Sequence, residues 1–373
     1  MRAVVLRSPG DVRVEEVELD PPKAGEVLVR VAAAGVCHSD LHLAEGSLGD
    51  GRWPMVLGHE GAGVVEAVGD GVAHVVPGQA VAFCFVPSCR RCRSCRAGRF
   101  ALCEPAGENR ARGVLMDGTS RLRLPDGTPL QHGLQTACFA ERAVLSAAGV
   151  VPLPAELPLW QAALLGCAVT TGFGAVRNVA RVQAGESAVV IGCGGVGLQV
   201  VAALKLARAH PIVAVDRERS KHELARTSGA THWAHGAQAL ERILEVTDGG
   251  ADHAFEVVGR PETMRLAWDS LRPGATAVVV GLAPVGVEAS LPAVEFLSDR
   301  GIRGSFYGSG DPAADLPELA ALALDGRLDL ARVVSHVGAL GEVPTALERL
   351  RRGEGARTVV ILDRSLAGHP DSE

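Results

Sequence analysis

Two textures of apolar spacing divide this chain. Up to about Leu153 the apolar residues fall in short alternating runs: Met1 to Arg7, Val12 to Glu16, then Val27, Val29 and Val31 on one face, then Gly63 to Val68 and Val81 to Phe85. Alternation of this kind puts every second side chain on a buried face and predicts strands, with Asp20-Pro21-Pro22, Gly69-Asp70-Gly71 and Pro77-Gly78 as the turns between them. The reading is an irregular β-rich domain. Residues 104–137 lack either period and read as loop, with Asp117-Gly118-Thr119 and Asp126-Gly127-Thr128 as turn markers; a loop of that length either shapes a substrate entrance or is a surface elaboration.

Near Leu159 the texture changes to alternating strand and helix. Ser187 to Ile191 is a short apolar strand, Val196 to Ala209 has helical periodicity until Pro211 stops it, and Ile212 to Val215 is a second strand ending at Asp216. Strand Ala254 to Val258, helix Glu262 to Leu271, strand Ala275 to Val280 and strand Arg303 to Phe306 continue the series, which predicts a doubly wound parallel sheet. After Gly310 the pattern loosens into a helix from Leu316 to Leu324, a strand at Val333-Val334-Ser335, a helix from Glu342 to Arg351 and a last strand from Arg357 to Leu362. The expected domains are 1–158, 159–310, and a segment 311–373 that returns to the first.

Composition adds limits. At 373 residues the chain is long for a single hydrophobic core, so two domains are expected. The net charge of −6 argues against a nucleic-acid or membrane partner. No apolar run is long enough to span a bilayer, and the N-terminus reads as a strand rather than a signal peptide, which predicts a cytoplasmic protein. In that reducing compartment the nine cysteines point to metal rather than to disulfides.

Four of those cysteines, Cys89, Cys92, Cys95 and Cys103, crowd one segment with gaps of two, two and seven residues. Four thiolates close a tetrahedral zinc site with no position left for substrate, so the expected role is structural. Arginines woven between them offset the charge of such a centre. An iron–sulfur cluster is the rival occupant, although nothing else in the chain resembles an electron-transfer protein. A second, open site is expected at Cys37 and His59, with Cys167 as third ligand: two soft thiolates and an imidazole suit zinc and leave one coordination position for substrate.

The run Gly192-Cys193-Gly194-Gly195-Val196-Gly197 follows a strand, opens a helix and has an acid, Asp216, about twenty residues on. Gly192 permits the tight turn, Gly194 lets the backbone approach a pyrophosphate, and Gly197 allows close helix–strand packing. Asp216 would accept hydrogen bonds from the adenosine ribose and repel a 2′-phosphate. NAD is thereby favoured over NADP, although Arg217, Arg219 and Lys221 blur the preference.

Taken together, Cys37-His-Ser-Asp-Leu-His42, Gly58-His59-Glu60, the four-cysteine lobe, Gly166-Cys167, the glycine run and Gly355-Ala-Arg357-Thr-Val closely resemble the zinc-dependent medium-chain alcohol dehydrogenases, almost end to end. The resemblance implies a GroES-like (chaperonin-10) catalytic domain with the parallel Rossmann sheet inserted into it. It also implies two zinc ions per subunit, NAD, a small alcohol or aldehyde as substrate, and a homodimer or homotetramer joined edge to edge near Ser305. Residue by residue, it makes Cys37, His59 and Cys167 the catalytic zinc ligands and Ser39 the hydroxyl that takes the alcohol proton. His42 becomes the base that passes that proton to solvent, Asp40 the carboxylate that orients the zinc histidine, and Glu60 a near-metal acid. His38 and Arg357 match pyrophosphate contacts, Thr171 packs on the nicotinamide, and Lys221 and Val258 match adenosine and nicotinamide contacts. Cys84, Cys138 and Cys193 match no ligand position.

Two competing readings share these motifs. Glutathione- or mycothiol-linked formaldehyde dehydrogenases are the nearer one. The glutathione branch has an arginine just after the fourth lobe cysteine, where this chain has about Gly107 with Arg110 and Arg112 displaced, and its acidic cluster is thinned here to Glu45 and Asp50. The other is a non-catalytic nucleotide-binding protein, which would be expected to lose the zinc ligands or the proton relay.

Overall fold

The computed structural model describes residues 1–49 and 53–370. Asp50 lies outside the described residues. The chain divides into two compact units, one made of Met1–Thr170 and Gly310–Glu373, the other of Thr171–Ser309. Residues 159–170 therefore belong with the first unit. The reason is local: the short 3-10 helix Ala163–Gly166 lies against the neighbouring strands so closely that a Cβ on Gly166 would sit 2.5 Å from the Phe83 carbonyl oxygen.

The first unit is built on the strand Glu26–Val36. Its early half alternates as Val27, Val29 and Val31 suggest, but from Val31 to Val36 every residue is buried, so both of its faces are covered. It pairs antiparallel with Glu60–Val68, with Arg142–Ser146 and with the late strand Arg357–Ile361, which in turn lies parallel to Val334–Ala339. An early strand and the last strand thus share one sheet. Val4, Leu6, Phe83, Phe139 and Val360 meet in the core beneath it.

Residues 104–137 are more ordered than the expected loop. Glu104–Arg112 is an α-helix with proline in its first turn and Gly113 closing it in the left-handed region, φ 68°. Its nine residues have almost no apolar stripe, so only the caps announced it. Leu122–Arg123 and Pro129–His132 form a hairpin around the Asp126-Gly127-Thr128 turn. Behind the hairpin, Arg121 is 1% exposed and donates to both Glu26 carboxylate oxygens, at 2.9 and 2.5 Å, and to Asp117 at 2.6 Å. Burial of a guanidinium is tolerable only with this degree of pairing.

The second unit is a six-stranded parallel sheet in the order His232–Ala234, Ile212–Val215, Ala188–Ile191, Ala251–Glu256, Leu271–Val279, Gly301–Gly304. Helices Gly195–Leu206, His222–Ser228, Ala239–Val246 and Pro261–Asp269 connect its strands. The last strand ends at Gly304, short of the expected Phe306, and its exposed residues gave the sequence no alternation to read. Ala251–Glu256 likewise stops before Val258, because the Glu256 side chain accepts the amides of Val258 and Gly259 and turns the chain. Among the described residues no single helix is long and apolar enough to cross a membrane.

Candidate active site

Cys37 ends the spine strand and N-caps the helix His38–Ala44. One turn later Asp40 folds back and accepts the Cys37 amide at 3.1 Å, so strand end and helix start are locked together. The same carboxylate, fully buried, accepts the Gly58 amide at 3.2 Å and pairs with His59 Nδ1 at 3.0 Å. Gly58 must be glycine: its φ is +97°, and a Cβ would lie 2.4 Å from the Phe139 nitrogen. With Nδ1–H committed to Asp40, the Nε2 lone pair of His59 is left buried with no hydrogen-bond partner.

That orphan is aimed at company. Ligand atoms of Cys37, His59 and Cys167 all lie within 4.8 Å of one another, and all three side chains are buried. Cys167 reaches the cluster from the break between Ala163–Gly166 and the following helix Ala168–Gly174, where Gly166 allows the close approach described above. The two thiols share a hydrogen bond that pulls Cys37 well below the ordinary thiol range and pushes Cys167 up. Burial pulls the His59 imidazole down, but Asp40 and Cys37 outweigh it and hold the ring above its ordinary value. Two thiols, one poised as thiolate, and an unpaired imidazole nitrogen fit a borderline-soft divalent ion, and zinc in particular.

Glu60, next along the strand, stands in register with Gly35, whose missing side chain makes room for its carboxylate. Its Oε1 accepts the Ala168 amide at 3.0 Å and its Oε2 lies 3.4 Å from the Arg357 guanidinium. Burial pushes the Glu60 carboxyl up to about 7, against the opposing pull of Arg357. Arg357 itself is only 4% exposed and donates to the Val36 carbonyl at 2.9 Å. Ser39 is half-buried on the helix, His38 is exposed, and the half-buried His42 holds Ser47 Oγ through Nδ1 at 2.8 Å.

The lobe is a second thiol cluster. The sulfurs of Cys89, Cys92, Cys95 and Cys103 also lie within 4.8 Å of one another. Successive amides point at them: Cys92 N donates to Cys89 Sγ and Cys89 N to Cys103 Sγ, each at 3.3 Å. Burial works against the Cys89 thiolate, yet the Arg91 and Cys92 amides bring its thiol down to about 6. Backbone donors aimed at sulfur suit a four-thiolate centre.

In the second unit the glycine loop follows Ile191 directly. A Cβ on Gly197 would stand 1.8 Å from the Gly192 carbonyl oxygen, so this position is closed to any side chain. Gly194 is different, because nothing lies within 4 Å of its missing Cβ. No protein atom demands that glycine, and Gly194 caps the helix Gly195–Leu206 without any side-chain acceptor for the first-turn amides. Open space over bare amides is what a pyrophosphate requires. Asp216 accepts the Cys193 amide at 2.7 Å and the Glu218 amide at 2.9 Å, and Lys221 stands 3.5 Å from it. Thr171 is buried at the start of this unit, and Val258 is 39% exposed. Sequence reasoning passed over Glu256, a fully buried acid at a strand end; the expected strand ran on to Val258, and with Asp252 and His253 close by an acid there gave no distinct signal.

A buried sulfur-and-imidazole centre in a β-rich unit and a glycine-loop parallel sheet define a metal-assisted, dinucleotide-dependent dehydrogenase. Residues 23–155 match the alcohol dehydrogenase GroES-like domain and residues 195–325 the zinc-binding dehydrogenase domain. The chain is 35% identical to the S-(hydroxymethyl)glutathione dehydrogenase of Paracoccus denitrificans, over 96% of this chain and 98% of that protein. It is also 37% identical to the protein of that name from Photobacterium damsela subsp. piscicida, over 96% of this chain and 99% of that one. In structure it matches the benzyl alcohol dehydrogenase of Acinetobacter calcoaceticus with a TM-score of 0.91 at 30% identity, covering 97% and 99% of the two chains. The chain belongs to the zinc-dependent alcohol dehydrogenases, NAD-dependent oxidoreductases that act on small alcohols and aldehydes.

Proposed function

We propose that this chain interconverts a primary or secondary alcohol and its aldehyde or ketone with NAD, at a zinc gripped by Cys37, His59 and Cys167. The observation that carries the reading is the unpartnered His59 Nε2, buried between two thiols. When bound, zinc supplies Lewis acidity at the substrate oxygen and NAD supplies the hydride acceptor. Asp40 fixes the His59 tautomer so that Nε2 faces the ion. Ser39 takes the alcohol proton and His42 hands it to solvent, its ring steadied by Ser47. Arg357 balances the charge of Glu60 and of the thiolates. When NAD is bound, His38 and Arg357 would contact the pyrophosphate, the run Gly192, Gly194, Gly195, Val196 and Gly197 would cradle it, Asp216 and Lys221 would hold the adenosine ribose, and Thr171 and Val258 would pack on the nicotinamide. Cys89, Cys92, Cys95 and Cys103 hold the structural zinc.

The test is a panel of primary and secondary alcohols with NAD and with NADP, followed by the absorbance of the reduced coenzyme. Reduction by Cys37→Ser at the wild-type rate would contradict the assignment. A wild type that reduced neither coenzyme with any alcohol of the panel would favour the non-catalytic reading.

Thiol-linked formaldehyde oxidation is the second reading, and one feature favours it besides the relatives' names. The Arg110 guanidinium lies 4.0 Å from where a Gly107 side chain would begin, close to the position of the missing arginine. Turnover of formaldehyde only when glutathione or mycothiol is added would replace the plain-alcohol assignment.

A homodimer or homotetramer is proposed through the edge strand Gly301–Gly304. In the segment that precedes it, Val285, Val294 and Leu297 are 73%, 73% and 87% exposed, apolar side chains that association could cover. A cytoplasmic location is proposed because six cysteines stand as metal ligands in this reading and need a reducing compartment.

A further inference from the structure

Glu256 is a buried acid that the zinc chemistry does not use. It ends the strand Ala251–Glu256 in register with Ile191, the residue before the glycine loop, so the turns that follow the two strands run side by side. The Val257 amide donates to the Ile191 carbonyl at 2.9 Å. Where Gly192 lacks a side chain, Val258 Cγ2 fills the space, 2.7 Å from the position a Cβ would take. The first glycine of the nucleotide loop is therefore seated directly on the turn that Glu256 starts.

The Glu256 carboxylate holds that turn from beneath. Its Oε1 accepts three donors, the Val258 amide at 2.8 Å, the Gly259 amide at 2.7 Å and the Thr263 hydroxyl at 2.7 Å. Thr263 lies in the first turn of the helix Pro261–Asp269, so one oxygen joins strand end, turn and helix start, where a negative group also meets the positive end of the helix. The residue is fully buried, and its Oε2 has no hydrogen-bond partner. Gly281 packs over it: a Cβ there would lie 2.7 Å from Oε2 and 2.1 Å from the Gly259 nitrogen. No basic side chain among the described residues forms an ion pair with it. A carboxylate buried on these terms is costly to keep where an apolar side chain would fill the volume, and what it does here is fix two consecutive amides in one direction.

We propose that Glu256 is a positioning residue for the dinucleotide: it clamps the Val257–Gly259 turn against Gly192 and so sets the shape of the nucleotide-binding loop. The proposal rests on the reading of that loop as the NAD site. It assigns the acceptor geometry of Oε1, rather than negative charge, as the working property. Glu256→Gln keeps a carbonyl oxygen for the three donors, whereas Glu256→Leu removes it and leaves the two amides unpaired.

The experiment measures dissociation constants of NAD and NADH by calorimetry, with hydrogen exchange of residues 257–260 and zinc content of the same preparations. For Glu256→Leu both constants should rise about tenfold or more, the Val258 and Gly259 amides should lose protection, and zinc content should match wild type. Glu256→Gln should stay within about twofold of wild type. If Glu256→Leu does not fold, Thr263→Val removes one donor without changing shape, and a rise of about two- to threefold is expected for both nucleotides. Wild-type affinity in Glu256→Leu, or in Thr263→Val, would overturn the proposal, as would equal losses in the Gln and Leu variants. A wild-type protein that binds neither nucleotide would overturn the NAD reading first, and this assignment with it.

Discussion

Among single residues, His132 carries a pH signature. It is 1% exposed, its Nε2 accepts the Arg121 amide at 3.2 Å, and burial together with the Arg121 charge pushes it down to about 3. In the unfolded chain an imidazole titrates near 6.5. Between those values the unfolded state binds a proton that the folded state refuses, so this residue costs stability as pH falls below 6.5 and has no such effect above it. Wild type should therefore lose about 2 kcal/mol more than His132→Gln between pH 7.5 and pH 5 in denaturant unfolding. Parallel pH profiles would remove the assignment. The ligands behave differently again. Cys37→Ser should abolish coenzyme reduction while leaving the circular dichroism spectrum and melting temperature close to wild type. Cys95→Ser should lower the melting temperature and the metal content, because a closed four-ligand ion contributes folding free energy directly.

Elements decide how the glycines are read. Gly197 and Gly194 stand in one motif, yet the first is closed by the Gly192 carbonyl and the second opens onto empty space. Gly197→Ala should destabilise the second unit with or without nucleotide. Gly194→Ala should melt like wild type and bind NAD about tenfold more weakly, a split that thermal scans with and without NAD would resolve. The motif was legible in the sequence because its spacing is local. So were the four-cysteine lobe and the strand that leads to Cys37. What escaped was held by tertiary contacts: the helix Glu104–Arg112 has caps but no apolar face, the ion network around Arg121 joins residues about a hundred positions apart, and Glu256 lay inside an expected strand with nothing to mark it. The partnership of Cys167 with Cys37 and His59 was reached through resemblance and metal chemistry, since no spacing rule connects positions so distant.

At the scale of the whole molecule, the sheet edge and the chain ends matter most. A charge on the exposed edge strand, Ile302→Asp, should shift the protein toward monomer in light scattering if the association proposed above uses that edge; an unchanged mass would place the contact elsewhere. The ends are bound more tightly. Arg357–Ile361 lies between Glu26–Val36 and Val334–Ala339, so the last strand fills an interior position in a sheet built on an early one.

That arrangement inverts the order in which the molecule can be completed on the ribosome. The strand leading to Cys37 emerges early but waits for a neighbour made more than three hundred residues later, while the continuous parallel sheet has all its strands once residue 309 is out. A stalled or clipped product lacking its last few dozen residues would keep a finished nucleotide half, with the thiols of the other half still open to oxidants. The arginine that sits beside Glu60 arrives with that same strand, so the metal pocket closes only once Arg357–Ile361 has been made.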